Sequence, residues 1–222
     1  MRKYYYKNIN MISHKYKCIF IHIPRTGGTF VEKFIFGKDW WGEEKNTKHI
    51  LASQAKKFYS QYWDHYFKFS FVRNPYSRSV SMLYHSEEYY GKKNLTFISQ
   101  DNLNFYKQKF NYPKIIESDQ RFYDLQELKN DNHKTNQVYL NILDEKLDFI
   151  GKYENFEKDL KIISDKIGLK FFFIKKFFTK KVSQSTDLKN HKNINKHIND
   201  PLIRNEIYNI YKNDFFTFGY EK

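Results

Sequence analysis

Two short stretches carry residue types and spacings suited to holding a multiply charged oxyanion. The first is Pro24-Arg25-Thr26-Gly27-Gly28-Thr29. Paired glycines let backbone N–H groups approach an anion, a following helix N-terminus adds a favourable dipole, and hydroxyls and a guanidinium supply further donors. The spacing is not that of a Walker A loop, which needs GxxxxGK[ST]. The second stretch is Phe71-Val-Arg-Asn-Pro-Tyr-Ser-Arg-Ser-Val-Ser81. Arg73 offers a planar fork, and Ser81, eight residues on, adds a hydroxyl about two helical turns later. Taken singly, each stretch is equally compatible with a structural role: a tight turn in the first case, and in the second an Arg73 paired to a core carboxylate with Ser81 facing solvent.

The flanking patterns say what positions these groups. Residues 17–23 (KCIFIHI) form a β-branched and aromatic run stopped by Pro24, the signature of a buried strand. From Thr29 onward Phe30, Val31, Phe34 and Ile35 recur at helical spacing, and Gly37 can end that helix. A helix is expected over roughly 49–59 and a second strand over 67–72 (FKFSFV), after which Asn74-Pro75 turns the chain into a helix carrying Val80, Leu83 and Tyr84. Residues 91–146 are rich in Asn, Lys and Asp and read as an irregular helical insertion that shapes an acceptor site. A third strand is expected over 147–151, then a helix over 154–167 with Phe156, Leu160, Ile163 and Ile167 on one face and Gly168 at its end. Residues 171–178 are strongly apolar and 180–199 polar and loop-like, while Asp200-Pro201 opens a last helix as cap and first-turn residue. The β/α rhythm predicts one α/β domain over 1–222 with a central, mainly parallel sheet flanked by helices.

Composition narrows the classes of partner. The 222 residues carry 39 Lys+Arg against 25 Asp+Glu, a net +14, which invites anionic partners. An aromatic content of 20% predicts a folded core rather than disorder. No helix-turn-helix, zinc-finger or RNP-type pattern accompanies the charge, so nucleic acid is not the expected partner. The single cysteine, Cys18, excludes an intramolecular disulfide and reads as a buried inert thiol, and no His/Asp/Glu group has metal-ligand spacing, so no metal is expected. With no run of roughly 18 apolar residues and no apolar centre in residues 1–10, the expectation is a cytoplasmic chain without a membrane span.

Together the motifs resemble the PAPS-dependent carbohydrate sulfotransferases, the family of heparan and chondroitin sulfate enzymes and their bacterial relatives (PAPS is 3′-phosphoadenosine 5′-phosphosulfate). Phe20-Ile-His-Ile-Pro-Arg-Thr-Gly-Gly-Thr29 is similar to the family's "hxHxPKTGGT" loop, and Phe71–Tyr84 to its "FVRNPYxRxxSxY" segment. Asp148-Phe-Ile-Gly-Lys-Tyr-Glu-Asn-Phe-Glu-Lys-Asp-Leu160 resembles "FIGRYENLEEDL", and Ile207–Tyr220 resembles "IYxxDFxxFGY". Residues 86–146 and 170–199 match least.

The resemblance implies a P-loop-NTPase-like fold and sulfuryl transfer from PAPS to a carbohydrate hydroxyl, with release of PAP (3′-phosphoadenosine 5′-phosphate). It implies that Pro24, Arg25, Thr26, Gly27, Gly28, Thr29 and Phe30 hold the 5′-phosphosulfate and that Arg73 and Ser81 hold the 3′-phosphate. One departure stands out: Arg25 occupies the place of the family's lysine, which neutralises charge on the leaving oxygen. Arg25 keeps the cation but is a poor proton donor. Two other readings share the motifs, a PAPS-binding relative with little turnover and another nucleotide-dependent transferase or kinase. Among the eight histidines, His49 in Thr47-Lys48-His49 resembles the family's "KHxTA" segment at the mouth of the site and is the candidate base. A carboxylate from the insertion is its rival, and His22 reads as a structural residue orienting the loop. Residues 180–197, with Lys189, His191, Lys192, Asn193 and Lys196, read either as a loop over the nucleotide or as a solvated charge run.

Overall fold

The computed structural model describes residues 11–38, 49–79, 81, 136–170 and 201–222. Among these residues four strands, β1 (Ile12–Ser13), β2 (Cys18–Ile21), β3 (Phe67–Val72) and β4 (Phe149–Lys152), form one sheet in the order β1-β2-β3-β4. β2, β3 and β4 run parallel, and β1 joins the edge antiparallel. Between the parallel strands the chain makes α1 (Gly28–Val31), which continues as a π-turn over Glu32–Phe36, then α2 (Ala52–Phe58), α3 (Ser60–Trp63), α4 (residues 75–79, with 81 also helical) and α5 (Tyr139–Ile142). A single 3-10 turn, Tyr153–Asn155, leads from β4 into α6 (Phe156–Lys166), and α7 (Pro201–Thr217) closes the chain. This is an α/β, P-loop-like architecture.

Sequence pattern explains the strands. All four residues of β2 are buried, as are Lys68 to Val72 of β3, so both strands are covered on both faces; β2 reads as a continuous apolar run, while β3 carries Lys68 and Ser70 between its apolar residues. Phe20 and Phe69 stack at 5.0 Å across the β2/β3 pair, and Phe71 packs on Phe156 of α6 at 4.8 Å. The two polar residues of β3 are satisfied. Ser70 donates to the Ile21 carbonyl (2.7 Å), and the Lys68 ammonium reaches Asp148 at 2.8 Å and the carbonyls of Trp63 and Tyr66.

The expected elements appear with small shifts. The first helix begins at Gly28 and passes into the π-turn before Gly37, whose φ of +81° ends it. The helix expected over 49–59 is α2, followed directly by α3. On α6, Leu160, Ile163 and Ile167 are buried and Phe156 partly so. β1 was not anticipated; α5 falls inside the stretch read as an irregular helical insertion, where Val138, Tyr139, Ile142 and Leu143 are core residues. Residues 91–135, 171–178 and 180–199, together with Thr47, Lys48, Val80, Leu83, Tyr84 and Asp200, lie outside the described residues. Among the described residues no helix is long and apolar enough to cross a membrane.

Candidate functional site

Parallel pairing with Ile21 opposite Ser70 and Val72 opposite Lys152 brings the carboxyl ends of three strands to one edge of the sheet. The segments leaving that edge are 22–27, 73–74 and 153–155. Ligands of open α/β sheets bind in such crevices.

The loop after β2 is locked from within. Thr26 is fully buried, and its hydroxyl donates to the Ile23 carbonyl at 2.7 Å, so it staples the turn and leaves the backbone N–H as Thr26's remaining donor. Arg25 (φ +66°) and Gly27 (φ +88°) both take the left-handed conformation. That is free for glycine and costs an arginine about 1 kcal/mol, a strain concentrated at a candidate site. The neighbouring Gly28 is fixed by space: a Cβ there would stand 2.0 Å from His22 Nε2. α1 starts directly on this turn, with Phe30 N–H and Val31 N–H donating to the Gly27 carbonyl. Thr29 and Phe30 remain partly exposed, the Phe30 ring meeting Phe156 edge-on at 5.6 Å.

Beneath the loop lie His22, Glu32 and His49, all buried. His22 Nδ1 meets Glu32 Oε1 at 2.6 Å, which gives the buried carboxylate the partner it requires. His49 Nδ1 lies 3.0 Å from the His22 carbonyl, and the two rings are 4.4 Å apart. A carbonyl only accepts, so Nδ1 carries the proton of this contact and Nε2 is the ring nitrogen left to exchange one. At 3% exposure His49 sits under the loop rather than at an open mouth.

Arg73 leaves the end of β3 and is held on three sides. Its Nε donates to Ser77 Oγ (3.0 Å), its Nη1 donates to the Arg25 carbonyl (3.3 Å), and its guanidinium lies 4.4 Å from the Tyr153 ring centroid. Asn74 caps α4, its Oδ1 accepting from Tyr76 and Ser77 N–H, and Pro75 follows at the first helical position. Ser81 then receives the Nε–H of Arg25 at 2.9 Å. The two motifs read separately from the sequence therefore touch directly.

Several residues that hold this site were missed. Arg78, 1% exposed, donates from Nε to the Pro24 carbonyl (2.9 Å) and from Nη1 to Tyr211 Oη (2.7 Å), tying the loop to α7 at the one residue where that helix departs from helical geometry. Tyr139 donates its hydroxyl to the Arg73 carbonyl. Asp214, on α7, accepts the N–H groups of Val138, Tyr139 and Leu140 and so caps α5. Glu154 accepts Asn74 N–H (2.7 Å) and the Tyr220 hydroxyl (3.1 Å). The signal was present, since each of these residues except Tyr139 lies inside one of the recognised motifs. Burial raises the hydroxyl pKa of Tyr139, of Tyr211 and of Tyr220, the last helped by Glu154, so all three stay neutral donors. Burial also lifts Asp214 to about 6 against its three N–H bonds, and pushes the Cys18 thiol up to about 12, so Cys18 is inert.

The structure thus gathers Pro24 to Phe30, Arg73 and Ser81 at one edge, with His49 joined to them through His22. Among the described residues no group of three or more His, Cys, Asp or Glu is arranged to hold a metal ion. A family model described as the sulfotransferase family matches residues 10–221. No curated protein and no solved structure matches the chain.

Proposed function

Since the chain belongs to the sulfotransferase family, a family of sulfuryl transfer, we propose that it moves the sulfuryl group of PAPS to a carbohydrate hydroxyl and releases PAP. The observation that carries this reading is the contact between the two anion-binding segments at the strand ends, Arg25 to Ser81 and Arg73 to the Arg25 carbonyl. A nucleotide with phosphate at both its 3′ and 5′ positions needs two such segments side by side, and a nucleotide phosphorylated at only one end does not.

In this reading the N–H groups of residues 25–29, at the start of α1 and beside Phe30, receive the 5′-phosphosulfate, and Arg73 and Ser81 receive the 3′-phosphate. The acceptor oxygen attacks sulfur, the bond from sulfur to the bridging oxygen breaks, and that oxygen leaves on PAP. By analogy with phosphoryl transfer the transition state is loose, so positioning and charge stabilisation dominate. The leaving phosphate has a second pKa near 6, so the cation of Arg25 and the loop N–H groups suffice without a proton donor. His49 takes the acceptor's proton on Nε2, the atom that its Nδ1 bond leaves as an acceptor. The strongly basic chain favours an anionic glycan as acceptor.

The reading is tested by incubating the chain with PAPS labelled in the sulfuryl group and a panel of glycans, small alcohols and phenols. Label transferred to glycan hydroxyls is expected. Transfer confined to phenols would overturn the carbohydrate assignment, and label retained on the nucleotide with every acceptor would reduce the chain to a donor-binding relative.

A further inference from the structure

Three consecutive carbonyls of the loop after β2 are each taken by a side chain. Thr26 Oγ1 donates to the Ile23 carbonyl at 2.7 Å, Arg78 Nε to the Pro24 carbonyl at 2.9 Å, and Arg73 Nη1 to the Arg25 carbonyl at 3.3 Å. The next carbonyl but one, that of Gly27, accepts the N–H groups of Phe30 and Val31. No described peptide bond is cis, and in a trans peptide the N–H points opposite to the carbonyl that shares its plane. Pinning the Pro24 and Gly27 carbonyls therefore fixes where the Arg25 and Gly28 N–H groups point. φ is positive at Arg25 and Gly27 and not at Thr26 between them, an alternation of hand that turns successive N–H groups toward a shared concave side fit for an anion. Among the described residues no hydrogen bond takes the N–H of Gly27, Gly28 or Thr29.

Of the three donors, Arg78 is the one rooted in the distant α7. Its Nη1 donates to Tyr211 Oη at 2.7 Å, and its guanidinium lies 5.5 Å from the Tyr139 ring centroid. Tyr211 is also the residue at which α7 leaves helical geometry (φ −110°, ψ 16°). The carbonyl that Arg78 holds is the one whose direction the strained φ of Arg25 sets, and a buried, charge-assisted bond outweighs the strain of one left-handed residue. We propose that Arg78, anchored by Tyr211, is a positioning residue for the 5′-phosphosulfate: it sets the Pro24–Arg25 peptide so that the loop's N–H groups converge on that end of the donor. This rests on the PAPS reading and deepens it. At 1% exposure Arg78 is out of a ligand's reach and acts through the loop.

The test is calorimetric binding of PAP, 5′-AMP and adenosine 3′-monophosphate (3′-AMP) to the full chain and to its Tyr211→Phe, Arg78→Met and doubly substituted variants. PAP against 3′-AMP measures the grip on the 5′-phosphate, and PAP against 5′-AMP the grip on the 3′-phosphate. In Arg78→Met the preference for PAP over 3′-AMP is expected to fall about tenfold or more, the size of a lost charge-assisted hydrogen bond, while the preference for PAP over 5′-AMP stays within about twofold. Tyr211→Phe removes one oxygen and keeps the ring beside Tyr139, so it decides the matter alone if Arg78→Met does not fold. Its expected effect is the same split at about threefold, the size of one neutral hydrogen bond. Because Tyr211 acts through Arg78, the double variant is expected to lose no more than Arg78→Met. Losses as large for 3′-AMP as for PAP, which a general loosening of the fold would give, would overturn the inference and leave the PAPS reading standing. So would unchanged binding in Tyr211→Phe, or multiplicative losses in the double variant. A wild-type chain that binds 5′-AMP or 3′-AMP as tightly as PAP would instead overturn the PAPS reading, and this inference with it.

Discussion

A 3′-phosphate is the group that separates PAP from 5′-AMP, so residues assigned to it must discriminate between the two ligands. Truncating Arg73 to Ala removes a fork fixed by Ser77 and Tyr153. The expected cost is about 1.5–3 kcal/mol in PAP binding, or roughly 10- to 150-fold, with 5′-AMP far less affected. Equal losses by titration would remove Arg73 from the 3′ end. For His49 the expectation concerns rate rather than affinity. His49→Ala should lower sulfation by about 10²-fold, the size of general-base removal, with PAP binding nearly intact. Normal turnover in that variant would exclude His49 as the base. Gly28 offers a test of the loop itself: since a Cβ there collides with the His22 ring, Gly28→Ala should cost about 1–3 kcal/mol in thermal unfolding. Unchanged stability would mean that the ring does not buttress the loop.

Elements act here mainly as braces. Among the described residues helix α7 reaches the site through others: Tyr211 through Arg78 to the Pro24 carbonyl, and Asp214 through α5 and Tyr139 to the Arg73 carbonyl. Asp214 gives this bracing a pH dependence with a definite sign. Its folded value of about 6 lies above the ordinary 3.8, so the native state holds the proton more tightly than the unfolded chain. The resulting stabilisation is fully present below about pH 4 and is lost as pH rises through 6, at most on the order of 3 kcal/mol. Denaturant titrations at pH 5 and pH 7 should show wild type losing more stability over that interval than Asp214→Asn. Parallel profiles would contradict the assignment.

At the scale of the whole molecule, the sheet and the two candidate segments at its strand ends were legible because their physics is local. β2 is a continuous apolar run and β3 a run rich in Phe, stopped by Pro24 and by Asn74-Pro75, and the glycine pair announces a turn that only small residues can make. What escaped depends on distant partners. β1 is two residues long, too short for any periodicity, and exists because β2 offers it an edge. The place of α5 within the expected helical insertion depends on a carboxylate some 75 positions later, which holds its first turn. An arginine on a helix ordinarily reads as a solvent-facing charge, and Arg78 is buried only because the Pro24 carbonyl and Tyr211 meet it inside. The burial of His49 follows from the same kind of contact, with a backbone carbonyl 27 residues earlier.

The central claim is a pocket built for a nucleotide with phosphates at both ends, and calorimetric binding of PAP beside ATP and 5′-AMP tests it without knowledge of the acceptor. Micromolar binding of PAP, well ahead of both competitors, is the predicted result. ATP or 5′-AMP binding as tightly as PAP would contradict the claim that Arg73 and Ser81 receive a 3′-phosphate, and with it the PAPS assignment.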